Sequence, residues 1–246
     1  MQTTHNTVLI TGGSAGIGLA IARLLSQHNN HVIITGRDPE RLKAAAAGLE
    51  NVTPVVCDVT KEKDVDRLVQ LLHTSYPNTN ILINNAGKAI AYQLSSKADA
   101  FEKAADEILT NYLSVISLTE KLLPLLHTQP DAAIVNVTSI GALVPSYKIP
   151  TYTASKAALR SYTQSLRLTL AATGNIRVFE LMPPLVNTDF SREIGGSKGI
   201  PPEAVADALL EALGQDIYEI HVGATAQLYE LLRTSPADAL RAMNPA

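Results

Sequence analysis

Tryptophan is absent from the 246 residues, phenylalanine occurs three times and cysteine once. One cysteine, Cys57, excludes an internal disulfide framework and a cysteine-built zinc site, and no metal site is expected. Cys57 sits inside an apolar run, which predicts a buried strand thiol. No apolar stretch approaches the ~20 residues that a bilayer span requires. Residues 1–7 are short and polar and fit no signal peptide, so a soluble cytoplasmic protein without membrane contact is expected. A surplus of charge is also missing. The formal net charge is −3 and the pI about 6.1, which gives a nucleic-acid partner no support. Repeats, low-complexity tracts and linkers are lacking too. What is present is apolar matter, 46% of the residues, enough to fill a large core in one domain spanning 1–246.

The chain alternates strand and helix signals from end to end. Val8-Leu-Ile10 stops at Thr11-Gly12-Gly13-Ser14-Ala15-Gly16-Ile17-Gly18, and an amphipathic helix follows through Ala20, Ile21, Leu24 and Leu25. Strand, glycine turn and helix N-terminus together suit a pyrophosphate, because glycines let the backbone come close and the helix start offers free amides. The spacing is G-x-x-x-G-x-G, only loosely the general dinucleotide fingerprint. Further strands are expected at 31–35, 52–59, 80–84, 132–138, 175–181 and 217–222. Helices are expected after Asp38-Pro39, at 60–75, 100–126, 152–172, 201–213 and 224–233, with a short tail helix in 236–246. This alternation predicts an α/β fold, a doubly wound parallel sheet of about seven strands of Rossmann type, with helices on both faces.

Ligands in such sheets lie beyond the C-terminal ends of the strands. At the end of the second strand, Gly36 leaves room and Arg37 supplies charge, which favours a 2′-phosphate and hence NADP(H), with NAD(H) as the alternative since Asp38 is adjacent. At the end of the third, Asp58 and Val59 either meet an adenine edge or form a turn. At the end of the fourth, Asn84-Asn85-Ala86-Gly87 suits a wall against a nucleotide. Asn111, inside the expected long helix, is mildly unfavourable there and so is either exposed or used. Ser139 ends the fifth strand; without a G-x-S-x-G context it reads as a hydrogen-bond donor or acceptor rather than a nucleophile. Tyr152 and Lys156 stand one helical turn apart on one face, and a fixed ammonium would pull the phenol's pKa down from near ~10. Residues 189–200 read as a mobile loop over the site. Ala89 to Leu94, Ile140 to Tyr147 and Leu185 to Ile194 are the expected pocket wall, with Leu143, Val144, Pro145, Leu185 and Phe190 apolar and Tyr92, Ser146 and Tyr147 polar.

In this order, Thr11-Gly-x-x-x-Gly-x-Gly18, Asn84-Asn-Ala-Gly87, Asn111, Ser139 and Tyr152-x-x-x-Lys156 resemble the short-chain dehydrogenase/reductase family over about residues 7–190, and within it the DltE-like oxidoreductases. The resemblance implies a hydride exchange between a nicotinamide cofactor and a carbonyl or alcohol. Tyr152 would exchange the proton, Lys156 would lower its pKa and hold the ribose, Ser139 would polarise the substrate oxygen, and Asn111 would place a water. Gly12, Ser14, Gly16, Ile17, Gly18, Arg37, Asp58, Val59, Asn85, Ala86, Gly87 and Pro183 would contact the cofactor, as would Val186 and Thr188 near the carboxamide. Pro184 stands where the family has glycine. The C-terminal part lacks a Gly-rich ending, which favours a homodimer over a tetramer. A non-catalytic NADP-binding sensor is the rival reading.

Overall fold

The computed structural model describes residues 1–172 and 174–245. Seven strands form one parallel sheet: β1 (Thr7–Ile10), β2 (His31–Gly36), β3 (Val52–Val56), β4 (Thr79–Asn84), β5 (Ala132–Val137), β6 (Ile176–Met182) and β7 (Glu219–His221). Their order is β3-β2-β1-β4-β5-β6-β7. The order reverses between β1 and β4, and that is where an open α/β sheet leaves a crevice beyond its strand ends. The expected Rossmann-type fold is observed.

The central strands are nearly continuous runs of β-branched and leucine side chains because both faces are covered. Val8 and Ile10 point one way with Ile34, Ile83 and Val135, against α1 (Gly16–Gln27) and α7 (Pro202–Gln215). Leu9, Ile33, Leu82 and Ile134 point the other way, onto α3 (Glu62–Ser75), onto α5 (Ser114–His127) and onto α6 (Pro150–Ala171). A smaller third cluster joins Val144 to Leu228 of α8 (Ala224–Thr234) and Ala239 of α9 (Pro236–Met243). α2 (Pro39–Ala46) starts as the sequence predicts, with the Asp38 carboxylate accepting from the amides of Glu40 and Arg41 and Pro39 in the first turn. No described helix is long and apolar enough to cross a membrane.

The expectations shift in five places. β3 ends at Val56, so Cys57 is buried but lies just past the strand, its amide donating to Gly36. Burial, then the nearby Asp64 and Asp58 carboxylates, push its thiol up to about 11. Thr60 does not cap α3, since its amide and hydroxyl are both bound to Asp58 Oδ1. The expected long helix is three pieces, α4 (Ala100–Ile108), a π turn (Leu109–Leu113) and α5. The loop expected at 189–200 contains two 3₁₀ turns (Asp189–Ile194 and Gly196–Lys198), and at its neck Asn187 donates to Ile200 O at 2.8 Å and Ile200 to Leu185 O at 3.0 Å. The tail helix stops at Met243, and Ala246 lies outside the described residues.

Candidate active site

The crevice begins at the turn after β1. Thr11 Oγ1 accepts from the amides of Asn85 and Ala86, both at 3.0 Å, and the Asn85 side chain donates to Thr11 O at 2.9 Å and Gly12 O at 3.0 Å. The ends of the two switch-point strands are thereby stitched together. Only glycine fits where they meet. Gly12 has φ +67°, and a Cβ there would lie 2.9 Å from Ala86 Cα. A Cβ on Gly18 would lie 2.4 Å from Asn85 Nδ2 and 2.5 Å from Gly12 O. The turn is thus a cradle held to glycine at both close approaches, at the start of a 12-residue helix whose first turn holds no acidic side chain. That chemistry suits a dinucleotide pyrophosphate.

A cavity of about 870 Å³ opens from this cradle. It gathers Gly12, Ser14, Gly16, Ile17, Asn85, Ala86, Gly87, Ser139, Tyr152, Lys156, Pro183, Val186 and Thr188, so most of the expected site residues share one space. Five expected residues do not line it. Gly18 packs beneath the turn against Asn85. Asn111 is fully buried behind the wall. Arg37 is exposed at the sheet edge. Asp58 faces its own turn; burial opposes its charge, but the Thr60 hydroxyl and amide, with Arg37 and Lys61, outweigh that and hold its carboxyl below the usual range. Val59 follows it, half-buried.

Ser139, Tyr152 and Lys156 converge at the cavity's deep end. Ser139 leaves β5 and caps a 3₁₀ turn (Ile140–Ala142), its Oγ accepting from Gly141 N–H at 3.0 Å. The Tyr152 phenol lines the same cavity as this hydroxyl. Burial pushes that phenol up to about 12; the Ser139 hydrogen bond pulls it down and the Glu107 charge pushes it up. The downward pull expected of Lys156 is not seen. Its ammonium lies 5.9 Å from the centre of the Tyr152 ring, over the face rather than at the oxygen, and donates to Val137 O at 2.7 Å. Burial lowers the Lys156 pKa to about 8. Both residues have their charged forms disfavoured, so the pair rests as a neutral phenol beside an ammonium that titrates near neutrality.

Asn111 occupies the π turn, an irregularity that the sequence reading treats as plain helix. Its Nδ2 donates to Lys88 O at 2.8 Å and Ser155 Oγ at 2.9 Å, and its Oδ1 accepts from Lys88 N–H at 2.7 Å. The asparagine is used, not exposed. Such π turns open the helical ladder and free backbone groups, and they concentrate at functional sites.

The substrate end corrects part of the expected wall. Ile140, Ser146, Leu185, Phe190 and Ile194 line the cavity, joined by Ile149, Lys148 and, from the C-terminal part, Ala224, Met243 and Pro245. Phe190 meets the Tyr152 ring edge-on at 5.9 Å. Residues 89–94 do not line it: Tyr92 is turned to Thr151 (2.9 Å) and Leu94 to solvent. Val144 is absorbed by the third core cluster, with Leu143 packed against it. Pro145 and Tyr147 face the tail, bonded to Asn244. Arg41 is a lining residue that the sequence reading missed; it spans the cavity mouth to Asp189 at 3.5 Å. A cation in the first turn of a helix works against the helix dipole, and that mismatch was the available signal.

The model of the family described as short chain dehydrogenase matches residues 6–199. The uncharacterized oxidoreductase DltE of Bacillus subtilis is 39% identical over 225 residues, 89% of each chain. A fatty acyl-CoA reductase of Acinetobacter baylyi is 31% identical over 212 residues, 83% of this chain and 72% of that one. Among solved structures, a short chain dehydrogenase of Burkholderia cenocepacia in complex with NADP superposes with a TM-score of 0.87 at 28% identity, covering 98% of both chains.

Proposed function

The chain belongs to the short-chain dehydrogenase family and is an NAD(P)-dependent oxidoreductase, and from that premise we propose that it moves hydride between NADP(H) and a carbonyl or alcohol substrate by a Ser-Tyr-Lys-Asn mechanism. The observation that carries this reading is the meeting of Ser139, Tyr152 and Lys156 at the deep end of a cavity that starts in the glycine cradle. The cofactor would supply the hydride. Tyr152, a neutral phenol at neutral pH, hands its proton to the substrate oxygen, and Ser139 polarises that oxygen. Lys156 holds a ribose hydroxyl and supplies positive charge beside the phenol as the proton leaves. Asn111 has both ends of its amide engaged, so backbone groups freed by the π turn place the relay water. Thr188 and Val186 receive the carboxamide. Arg37 with Arg41 receives a 2′-phosphate, which favours NADP(H), the cofactor bound in the similar Burkholderia cenocepacia structure.

The lining beyond the phenol is mostly apolar (Ile140, Ile149, Leu185, Phe190, Ile194, Met243), which suits a medium-sized carbonyl compound over a sugar or a charged acid. The similarity to a fatty acyl-CoA reductase points the same way. We take residues 1–246 as one cytoplasmic domain that pairs as a homodimer. Phe101 of α4 and Leu168 of α6 are 80% and 77% exposed, and Leu109 and Leu113 of the π turn are exposed too.

NADPH consumption across aldehydes, ketones and quinones tests the activity. Tyr152→Phe is expected to lose about 10²–10⁴-fold in kcat, the usual worth of a positioned acid, with NADPH affinity retained. Equal activity of the two proteins would remove Tyr152 from the chemistry. Tight NADPH binding with no turnover on any substrate would leave the sensor reading standing instead.

A further inference from the structure

The strap that leaves β4 toward the pocket is fastened at alternate residues. Lys88 is held by both ends of the Asn111 amide. Ile90 donates its N–H to Glu107 Oε1 at 2.7 Å. Tyr92 donates its N–H to Lys148 O at 3.0 Å, and its hydroxyl meets Thr151 Oγ1 at 2.9 Å. Glu107 and Asn111 are four residues apart, so neighbouring turns present both to the strap.

Glu107 is fully buried, and its Oε2 has no formed hydrogen bond among the described residues. The Thr151 hydroxyl lies against this carboxyl but is shared with Tyr92. A buried carboxylate oxygen without a partner is costly. Holding Ile90 needs only an acceptor, which a glutamine would supply without that cost. The ionisable group therefore exceeds what the strap requires. Thr151 is followed at once by Tyr152, and the Glu107 charge reaches the phenol and opposes its ionisation.

We propose that Glu107 is a positioning residue of this active site, holding the strap that follows Gly87 with one carboxylate oxygen and setting the charge behind the Tyr152 phenol. The inference rests on the reading of Tyr152 as the acid/base. Glu107 is faced by Asp106 and Lys88, which pair with each other, and by Thr151 of α6; Lys103 covers the Tyr92 ring. Tyr152 is faced by Ser139, by Lys156 on its own helix and by Phe190, and Lys148 lies on the same cavity. Burial raises the Glu107 carboxyl above its ordinary range, and its charge opposes ionisation of the phenol. Removing that charge is expected to ease the ionisation of Tyr152.

Glu107→Gln keeps an acceptor for Ile90 and removes the charge. Phenolate absorbance is titrated in wild type and Glu107→Gln, each minus its Tyr152→Phe counterpart, which isolates Tyr152 without any substrate. Tyr152 is expected to ionise at lower pH in Glu107→Gln, with NADPH affinity held and Tm not lowered. The rising alkaline limb of alcohol oxidation is expected to move the same way. Glu107→Asp, which keeps the charge on a shorter reach, is expected to leave the phenol's titration in place while raising KM. Superimposable titrations of wild type and Glu107→Gln would overturn the proposal, as would an Asp variant that shifts the phenol as far as Gln does. If no substrate is turned over, the oxidoreductase reading fails in the activity arm, and the absorbance arm still decides Glu107.

Discussion

The two ends of the cleft are built in opposite ways. At the nicotinamide end, Asn111, Ser139, Tyr152 and Lys156 are all buried, and each is tied to a neighbour. At the adenosine end, Arg37, Asp38 and Arg41 stand in solvent on the edge of β2 and the start of α2. The buried end fixes what chemistry is available, because its side chains cannot be changed without disturbing the packing around them. Under the proposed function the exposed end sets which dinucleotide is preferred, and it costs the fold almost nothing. Reaction type and cofactor preference are therefore separable by mutation.

Lys156 is where this contrast is sharpest. A lysine whose folded pKa falls from 10.5 to about 8 binds its proton more weakly folded than unfolded. The charged form carries the full penalty below pH ~8, and the penalty fades as pH rises toward the unfolded value. From the shift, that penalty is at most roughly 3 kcal/mol, less whatever is lost when the Val137 carbonyl is left unpaired. Lys156→Met is expected to abolish turnover yet raise Tm, most clearly near pH 6–7, with the gain shrinking above pH ~8. Thermal melts across pH check this, and a lower Tm at pH 6 would show that the buried end is held together by its charge.

Gly18 asks whether the stitched floor between the two ends is as unyielding as its geometry implies. Gly18→Ala drives a methyl against Asn85 Nδ2 and Gly12 O. Overpacking of this kind costs about 1–3 kcal/mol, and NADPH affinity should fall with stability. Denaturant unfolding and cofactor titration read both, and an unchanged protein would mean that the turn can move aside.

Arg37→Asp should have the smallest effect on the fold, within about 0.5 kcal/mol for an exposed site, and still shift preference from NADPH toward NADH by about tenfold or more, the worth of one charged hydrogen bond. Comparing kcat/KM for the two cofactors checks it. If preference does not move, Arg41 alone serves the phosphate and Arg37 is idle.

These residues also show what could be read in advance. The parallel sheet was legible because strand and helix signals alternate and glycines punctuate β1's end. Tyr152, Lys156, Ser139 and Asn111 were legible as types at fixed spacing. Their electrostatics were not: spacing places Lys156 one turn from Tyr152, but only packing sends its ammonium to Val137 O rather than to the phenol oxygen. The π turn escaped because its one-residue surplus leaves the apolar pattern of 100–126 almost unchanged and involves no glycine or proline. The pocket wall was misjudged at 89–94 because a strap has no periodicity to show which way it faces; hydrogen bonds to Asn111, Glu107 and Thr151 decide that, and all three partners come from later in the chain.

The stitch between Thr11 and the Asn85–Ala86 turn joins groups 74 and 75 residues apart. Nascent chain emerging from a ribosome carries the glycine turn long before the strand that forms its opposite wall. Until β4 has inserted beside β1, the cradle has one side only. Nucleotide affinity must then arrive late and all at once in the life of each molecule, as a property of the assembled sheet and not of the motif that announces it.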